Sequence, residues 1–150
     1  MTVEALSVQV LATFRRRFLW KRPVFLRYSA ASLDGLRSVQ KEIGAELPAQ
    51  LMEWLLLVGY GDLGEDLSFR QEWFMRVSSG ELTGAVIFAQ DILGSFYAFD
   101  ASGRIYYFPR TESAYAFVSK DFLSFMEELV QRNYELVEWM DTLPTDAYDW

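Results

Sequence analysis

Gly84-Ala-Val-Ile-Phe-Ala-Gln-Asp-Ile-Leu-Gly-Ser-Phe-Tyr-Ala-Phe-Asp-Ala-Ser-Gly-Arg-Ile-Tyr-Tyr-Phe108 is the stretch that decides the fold. It reads as three short antiparallel strands, 86–90, 95–100 and 104–108, joined by two tight turns. Gly94 marks the first turn. In the second, Asp100-Ala-Ser-Gly103 has Asp first and Gly last, the order a type I turn prefers. Pro109 ends the pairing because it has no N–H to give to a ladder.

A strand with one wet face alternates apolar and polar residues. This meander does not. Tyr97 and Phe99 point one way, Phe96 and Ala98 the other. Ile105 and Tyr107 likewise oppose Tyr106 and Phe108. Both faces of the sheet are therefore aromatic, and one layer of helices covers only one of them. The second face must be covered by the N-terminal segment, by the C-terminal tail or by another molecule. An uncovered aromatic patch of several hundred Å² marks an interaction site.

Upstream, Leu33, Leu36, Val39 and Ile43 share one helical face, with Ser32 as N-cap and Gly44 as stop. Pro48 suits the first position of the next helix. There Leu51, Trp54, Leu55 and Val58 line one side until Gly59-Tyr60-Gly61 ends it. Residues 61–66, Gly-Asp-Leu-Gly-Glu-Asp, read as an acidic solvated loop without calcium-loop spacing. A strand is expected around 73–77. Farther upstream, Val3, Leu6, Val10, Phe14 and Phe18 recur at helical spacing, which predicts a helix over 3–19 with a cationic exit. A short strand follows over 24–28. Downstream, Phe122, Phe125, Met126 and Leu129 predict a helix from an N-cap at Ser119. It weakens at Asn133, resumes through Leu136 and Met140, and ends at Pro144. The whole is expected to be one domain, 1–150, of α+β class, with a central antiparallel meander flanked by helices.

Composition excludes much chemistry. The chain has 150 residues, no cysteine and no histidine. Thiol nucleophiles, disulfides, histidine-based triads and ordinary zinc hydrolase sites are therefore ruled out. No glycine-rich phosphate loop is present. Asp91 and Asp100 flank the middle strand, where turns favour Asp for backbone bonding. A carboxylate pair for hydrolysis remains the weakest of the readings. The net charge is −7. Residues 1–30 hold six Arg or Lys against one Glu, a net +5, and residues 31–150 carry −12. An acidic body favours basic partners and repels nucleic acid. No run reaches the ~18 apolar residues of a membrane span. With no signal-peptide pattern at the N-terminus, a cytoplasmic location without a membrane partner is expected.

The order of these motifs resembles the SUKH superfamily, which includes fungal cell-wall-synthesis regulators and many bacterial immunity proteins. Three pieces carry the likeness. One is the helix 36–43 with Glu42, then Gly44-Ala-Glu-Leu47-Pro48 leading into 51–58. Another is Ile87-Phe-Ala-Gln-Asp91 through Gly94-Ser-Phe96-Tyr-Ala-Phe99-Asp100. The last is Ser119-Lys-Asp-Phe122-Leu-Ser-Phe125-Met-Glu-Glu-Leu129. Together they span about residues 32–132. Residues 1–30 form an N-terminal helical extension and 139–150 a tail outside the likeness. The chain departs from the family at Val58-Gly59-Tyr60-Gly61, where Asn-Gly is frequent, and at Ser95, where an acid or amide is frequent.

The resemblance implies a non-enzymatic, cofactor-free protein that neutralises a bacterial toxin, many of these being nucleases, by stoichiometric binding. On that reading Asp62, Glu65, Asp66, Asp91 and Asp100 face a basic toxin cleft. Phe96, Tyr97 and Tyr106 supply the aromatic anchor. The alternative is a regulatory module that scaffolds cellular proteins, as the fungal relatives do.

Overall fold

The meander lies at the centre of the sheet in register. In the computed structural model, which describes residues 1–150 except the side chain of Arg17, β7 (Val86–Asp91), β8 (Phe96–Phe99) and β9 (Ile105–Phe108) pair antiparallel. Phe96 stands opposite Phe108, and Phe99 opposite Ile105. Both turns form as read: Gly94 has φ 82° and Gly103 φ 83°. The Gly103 N–H donates to the Asp100 carbonyl at 2.9 Å.

Outward from β7 run β5 (Leu67–Phe69), β4 (Tyr60–Leu63) and β3 (Phe25–Ser29). Outward from β9 run β10 (Ala114–Ser119) and the short β11 (Asp146–Ala147). The two-residue β6 (Met75–Arg76) pairs with the opening residues of β7. The described residues thus build one nine-stranded sheet, antiparallel at every pairing. The fold is α+β, with helices packed on this central sheet.

Five helices cover one face. They are α1 (Val3–Leu11), α2 (Leu33–Ile43), α3 (Ala49–Val58), α4 (Phe122–Gln131) and α5 (Leu136–Asp141). Their stops and starts follow local chemistry. Ser32 Oγ accepts the Gly35 N–H at 3.0 Å, and Gly44 ends α2 with φ 69°. Asp121, two residues past the expected Ser119, caps α4 by accepting the Ser124 N–H at 2.7 Å. Asn133 and Tyr134, with φ 55° and 64°, separate α4 from α5 at the expected break. Leu6, Leu36, Leu51, Phe125, Leu129 and Leu136 meet the inner sheet residues Val86, Phe88, Tyr97, Phe99 and Ile105 in one buried cluster. Trp54 sits among Phe25, Phe69 and Phe122 at ring distances of 6.2–6.3 Å.

The structure departs from the sequence reading in four places. The first helix ends at Leu11, not at residue 19. Thr13 Oγ1 turns back to the Gln9 carbonyl, a side-chain bond that competes with helix continuation. Phe14–Arg17 and Trp20–Pro23 then form a hairpin, β1 and β2. The expected helical extension is therefore a helix, a hairpin and the edge strand β3, and α1 packs on α3 in the main core. Half of the acidic loop is strand: Asp62 lies within β4, and residues 64–66 make the turn into β5. The strand expected at 73–77 is a 3-10 turn, Gln71–Trp73, followed by β6. Strands β5, β10 and β11 have no counterpart in the sequence reading.

Gly61 explains why β3 lies so close to β4. A Cβ there would sit 2.1 Å from the Leu26 carbonyl oxygen. Gly61→Ala is expected to lower unfolding free energy by about 2 kcal/mol, in the range of overpacked sites. Urea unfolding measures it, and an unchanged midpoint would contradict the close approach.

Candidate partner-binding face

The second face of the meander is covered in part by residues 77–85 and by the chain's own tail. Ile87, Ala98 and Phe108 form a smaller buried cluster there with Val77, Ala85 and Tyr148. Tyr148 arrives because β11 pairs with the start of β10, Ala114 opposite Ala147 and Tyr115 opposite Asp146. Its hydroxyl donates to the Ser79 carbonyl at 2.7 Å and accepts the Leu82 N–H at 3.1 Å.

The tail does not cover everything. Ring contacts run without a break from Phe117 to Tyr106 (5.8 Å), Tyr115 (6.2 Å), Tyr148 (5.4 Å) and Trp150 (4.5 Å). The two ends of this chain are open: Phe117 is 51% and Trp150 54% exposed. Phe96, Tyr106 and Tyr115 are half-buried between them. Aromatic side chains with one apolar face and one wet edge suit interfaces.

Carboxylates border these rings. Glu81 accepts the Tyr115 hydroxyl at 2.6 Å, and this bond pushes the phenol up to about 12. Asp146 stands opposite Tyr115 in the ladder, and Asp149 is exposed between Tyr148 and Trp150. Asp100 holds the meander's second turn by accepting the N–H groups of Ser102 and Arg104. It also pairs with the Arg104 guanidinium at 2.9 Å. Burial, then the Asp100 charge, raises the Tyr106 phenol. Four carboxylates thus border the patch, one of them, Asp100, paired with Arg104.

The expected site residues are only partly brought together. Phe96, Tyr106 and Asp100 belong to this face. Tyr97 does not: it is fully buried on the inner face, which with the Asp91 charge pushes its phenol up. Asp91 is buried too, as the organiser of the first turn. It accepts the N–H groups of Leu93 and Ser95 and the Tyr97 hydroxyl at 2.9–3.0 Å. Neither reaches a partner's surface. Asp62, Glu65 and Asp66 gather beyond the same end of the sheet as Asp91, since the Ile92 N–H donates to the Asp66 carbonyl at 2.8 Å. Asp62 and Asp66 have structural duties. Asp62 accepts the hydroxyls of Tyr28 and Ser68. The Asp66 carboxyl is raised chiefly by burial, while the N–H groups of Val137 and Leu136 favour its charged form. Glu65 is the exposed member.

The residues that sequence reasoning missed are Phe117, Tyr115 and Trp150. Alternation in Ala114-Tyr-Ala-Phe-Val118 was the available signal, with alanines inward and aromatics outward.

A cleft of about 390 Å³ opens at the opposite end of the sheet, between Pro48, the Asp100–Gly103 turn and Asp121. Burial disfavours the Asp121 charge, but Ser124 and Gln50 hold its carboxyl below the usual range. It is a helix cap, ionised and occupied. Among the described residues, no three acidic side chains are placed to hold a metal ion, and no helix is long and apolar enough to cross a membrane. No family model, curated protein or solved structure matches the chain.

Proposed function

We propose that the chain is a non-catalytic protein-binding domain of the SUKH type, an immunity protein that occludes a basic toxin through the outer face of its sheet. The observation that carries this reading is the unbroken aromatic row from Phe117 to Trp150, open at both ends and bordered by carboxylates. Phe117 and Trp150 are the anchors, since binding energy concentrates in a few large aromatic residues. Glu81, Asp146 and Asp149 steer a cationic cleft toward them, and salt weakens that steering. The order of motifs over 32–132 supports the family, and the acidic body supports the charge of the partner.

The test is binding to a toxin encoded beside this chain. Nanomolar to submicromolar affinity is expected by calorimetry, falling as salt rises. Phe117→Ser with Trp150→Ser is expected to weaken it on the order of a hundredfold. Both side chains are half-exposed, so the thermal midpoint is expected to hold. A neighbouring toxin that kills cells equally with and without this protein would sink the proposal.

A further inference from the structure

The hairpin of β1 and β2 is a second exposed surface, built differently from the aromatic face. It forms its own two-stranded sheet, apart from the nine-stranded one. Its two-residue turn is Phe18-Leu19, with Phe18 at φ 55°. That left-handed conformation is costly for a residue with a Cβ and points to function when it is kept. The tip is bare: Phe18 is 95%, Leu19 89% and Trp20 73% exposed. Behind it stand cationic rungs, Arg16 opposite Lys21 and Arg15 opposite Arg22. Like charges directly across a ladder destabilise it, so an anion against these rungs would relieve the repulsion.

The base of the hairpin is fastened. Arg15 donates to the carbonyls of Gly64 and Asn133 at 3.0 and 2.9 Å, with its guanidinium 5.8 Å from the Tyr134 ring centre. The Val24 N–H donates to the Thr13 carbonyl at 2.9 Å, and the Gly64 N–H to the Val24 carbonyl at 2.7 Å. The tip is therefore presented by the fold at a set angle. Asp62 and Glu65 share a groove with Arg22 at the foot of the hairpin, so carboxylates stand level with the rear rung, and Arg16 and Lys21 form the rung nearer the tip.

We infer that this hairpin docks the protein on an anionic lipid surface. Its tip enters the interface, and Arg16, Lys21 and Arg22 meet the headgroups. Three features favour a bilayer over other anions. Phe18, Leu19 and Trp20 are consecutive, so they point to both sides of the ribbon. A protein surface covers one side, whereas lipid surrounds a tip. The rung of Arg16 and Lys21 lies two residues behind the turn, roughly 7 Å at the rise of an antiparallel strand. That matches the roughly 5–10 Å to which interfacial segments bury their apolar part. Trp20 stands at the boundary, where tryptophan concentrates in membrane proteins. A nucleic acid would need a longer cationic track. This is contact with a bilayer surface, not passage through it. It departs from the sequence expectation of no membrane partner, because the helix read over 3–19 concealed the tip.

The experiment is sedimentation of the full chain with vesicles of phosphatidylcholine, pure or mixed with phosphatidylserine. The bound fraction is expected to be at least about tenfold higher on the mixed vesicles, since each cation near the surface adds to the attraction. Phe18→Ser with Leu19→Ser is expected to lower binding to mixed vesicles about tenfold or more. Arg16→Glu with Lys21→Glu is expected to remove the preference for phosphatidylserine. All four residues are exposed, and an unchanged thermal midpoint confirms that each variant folds. No binding to mixed vesicles, or equal binding by the variants, would overturn the inference. So would hairpin-dependent binding to a single-stranded oligonucleotide, or hairpin-dependent self-association in the ultracentrifuge, with no vesicle binding. The Phe117 and Trp150 variant keeps the hairpin and is expected to bind vesicles normally, so this test stands apart from that of the aromatic face.

Discussion

Asp91→Ala is expected to lower unfolding free energy by about 3 kcal/mol, and Asp91→Asn by only about 1 kcal/mol. The carboxylate is buried and accepts the Leu93 N–H at 2.9 Å, the Ser95 N–H at 3.0 Å and the Tyr97 hydroxyl at 2.9 Å. Leu93 is exposed and its N–H can turn to water, but Ser95 and Tyr97 are buried. Alanine leaves their donors without an acceptor, and a stranded buried group costs its full desolvation. Asparagine keeps the Oδ1 bonds to the two N–H groups. It offers an amide to the Tyr97 hydroxyl, which can rotate to accept. For a domain of this size the alanine loss corresponds to a midpoint lower by roughly 6–12 °C. Calorimetry on the two variants decides it, and equal loss in both would show that the carboxylate Oδ2 that accepts the Tyr97 hydroxyl, not the Oδ1 bonds to the turn, carries the stability. If the proposed toxin binding holds, Asp91→Asn is also expected to leave that affinity unchanged, because this carboxyl stabilises the turn and is buried.

The elements legible in the sequence were those whose ends carry their own chemistry. Gly94 and Asp100–Gly103 gave the meander its turns, Ser32 and Gly44 bounded α2, and Asn133 marked the break before α5. The hairpin was hidden because Val3, Leu6, Val10, Phe14 and Phe18 keep helical spacing straight through Ala12 and Thr13. Nothing in that spacing marks where the helix stops. Strand β4 was hidden by Gly61 and Asp62, both poor strand formers by composition. Gly61 is there because β3 comes too near for a Cβ, and Asp62 because Tyr28 and Ser68 supply donors across the ladder. Phe96, Tyr106 and Asp100 were legible as neighbours, since local alternation puts them on one face. Phe117 and Trp150 were not. Trp150 depends on a tail that pairs with a segment some thirty residues earlier, Tyr115 opposite Asp146, which no local pattern encodes, and Phe117 joins the face because β10 pairs with β9 opposite Tyr106. Acidity alone misled at Asp62, Asp66 and Asp91, where a carboxylate serves as an internal acceptor rather than as a surface charge.

Tyr148→Ala is expected to cost about 4 kcal/mol, the range of a large aromatic removed from a core. The ring is buried against Phe108 at 5.2 Å and Tyr115 at 5.4 Å. The backbone at Gly80 is moulded to it, since a Cβ there would meet the ring at 2.5 Å. Tyr148→Phe keeps the ring and loses only the bonds to Ser79 and Leu82, about 1–2 kcal/mol. The gap between the two variants, read from urea unfolding, measures the ring as a lid on the outer face. Equal losses would mean that the tail is tied down by its hydrogen bonds alone. The lid also sets the site. Trp150 lies 4.5 Å from Tyr148 and 5.2 Å from Phe108, so alanine at 148 removes one of its two ring supports. Affinity for the proposed toxin partner is therefore expected to fall with Tyr148→Ala at least as far as with Trp150→Ser alone, and to stay near normal with Tyr148→Phe. The same tail residue that closes the aromatic face against solvent thus fixes the one tryptophan that the face leaves open to a partner.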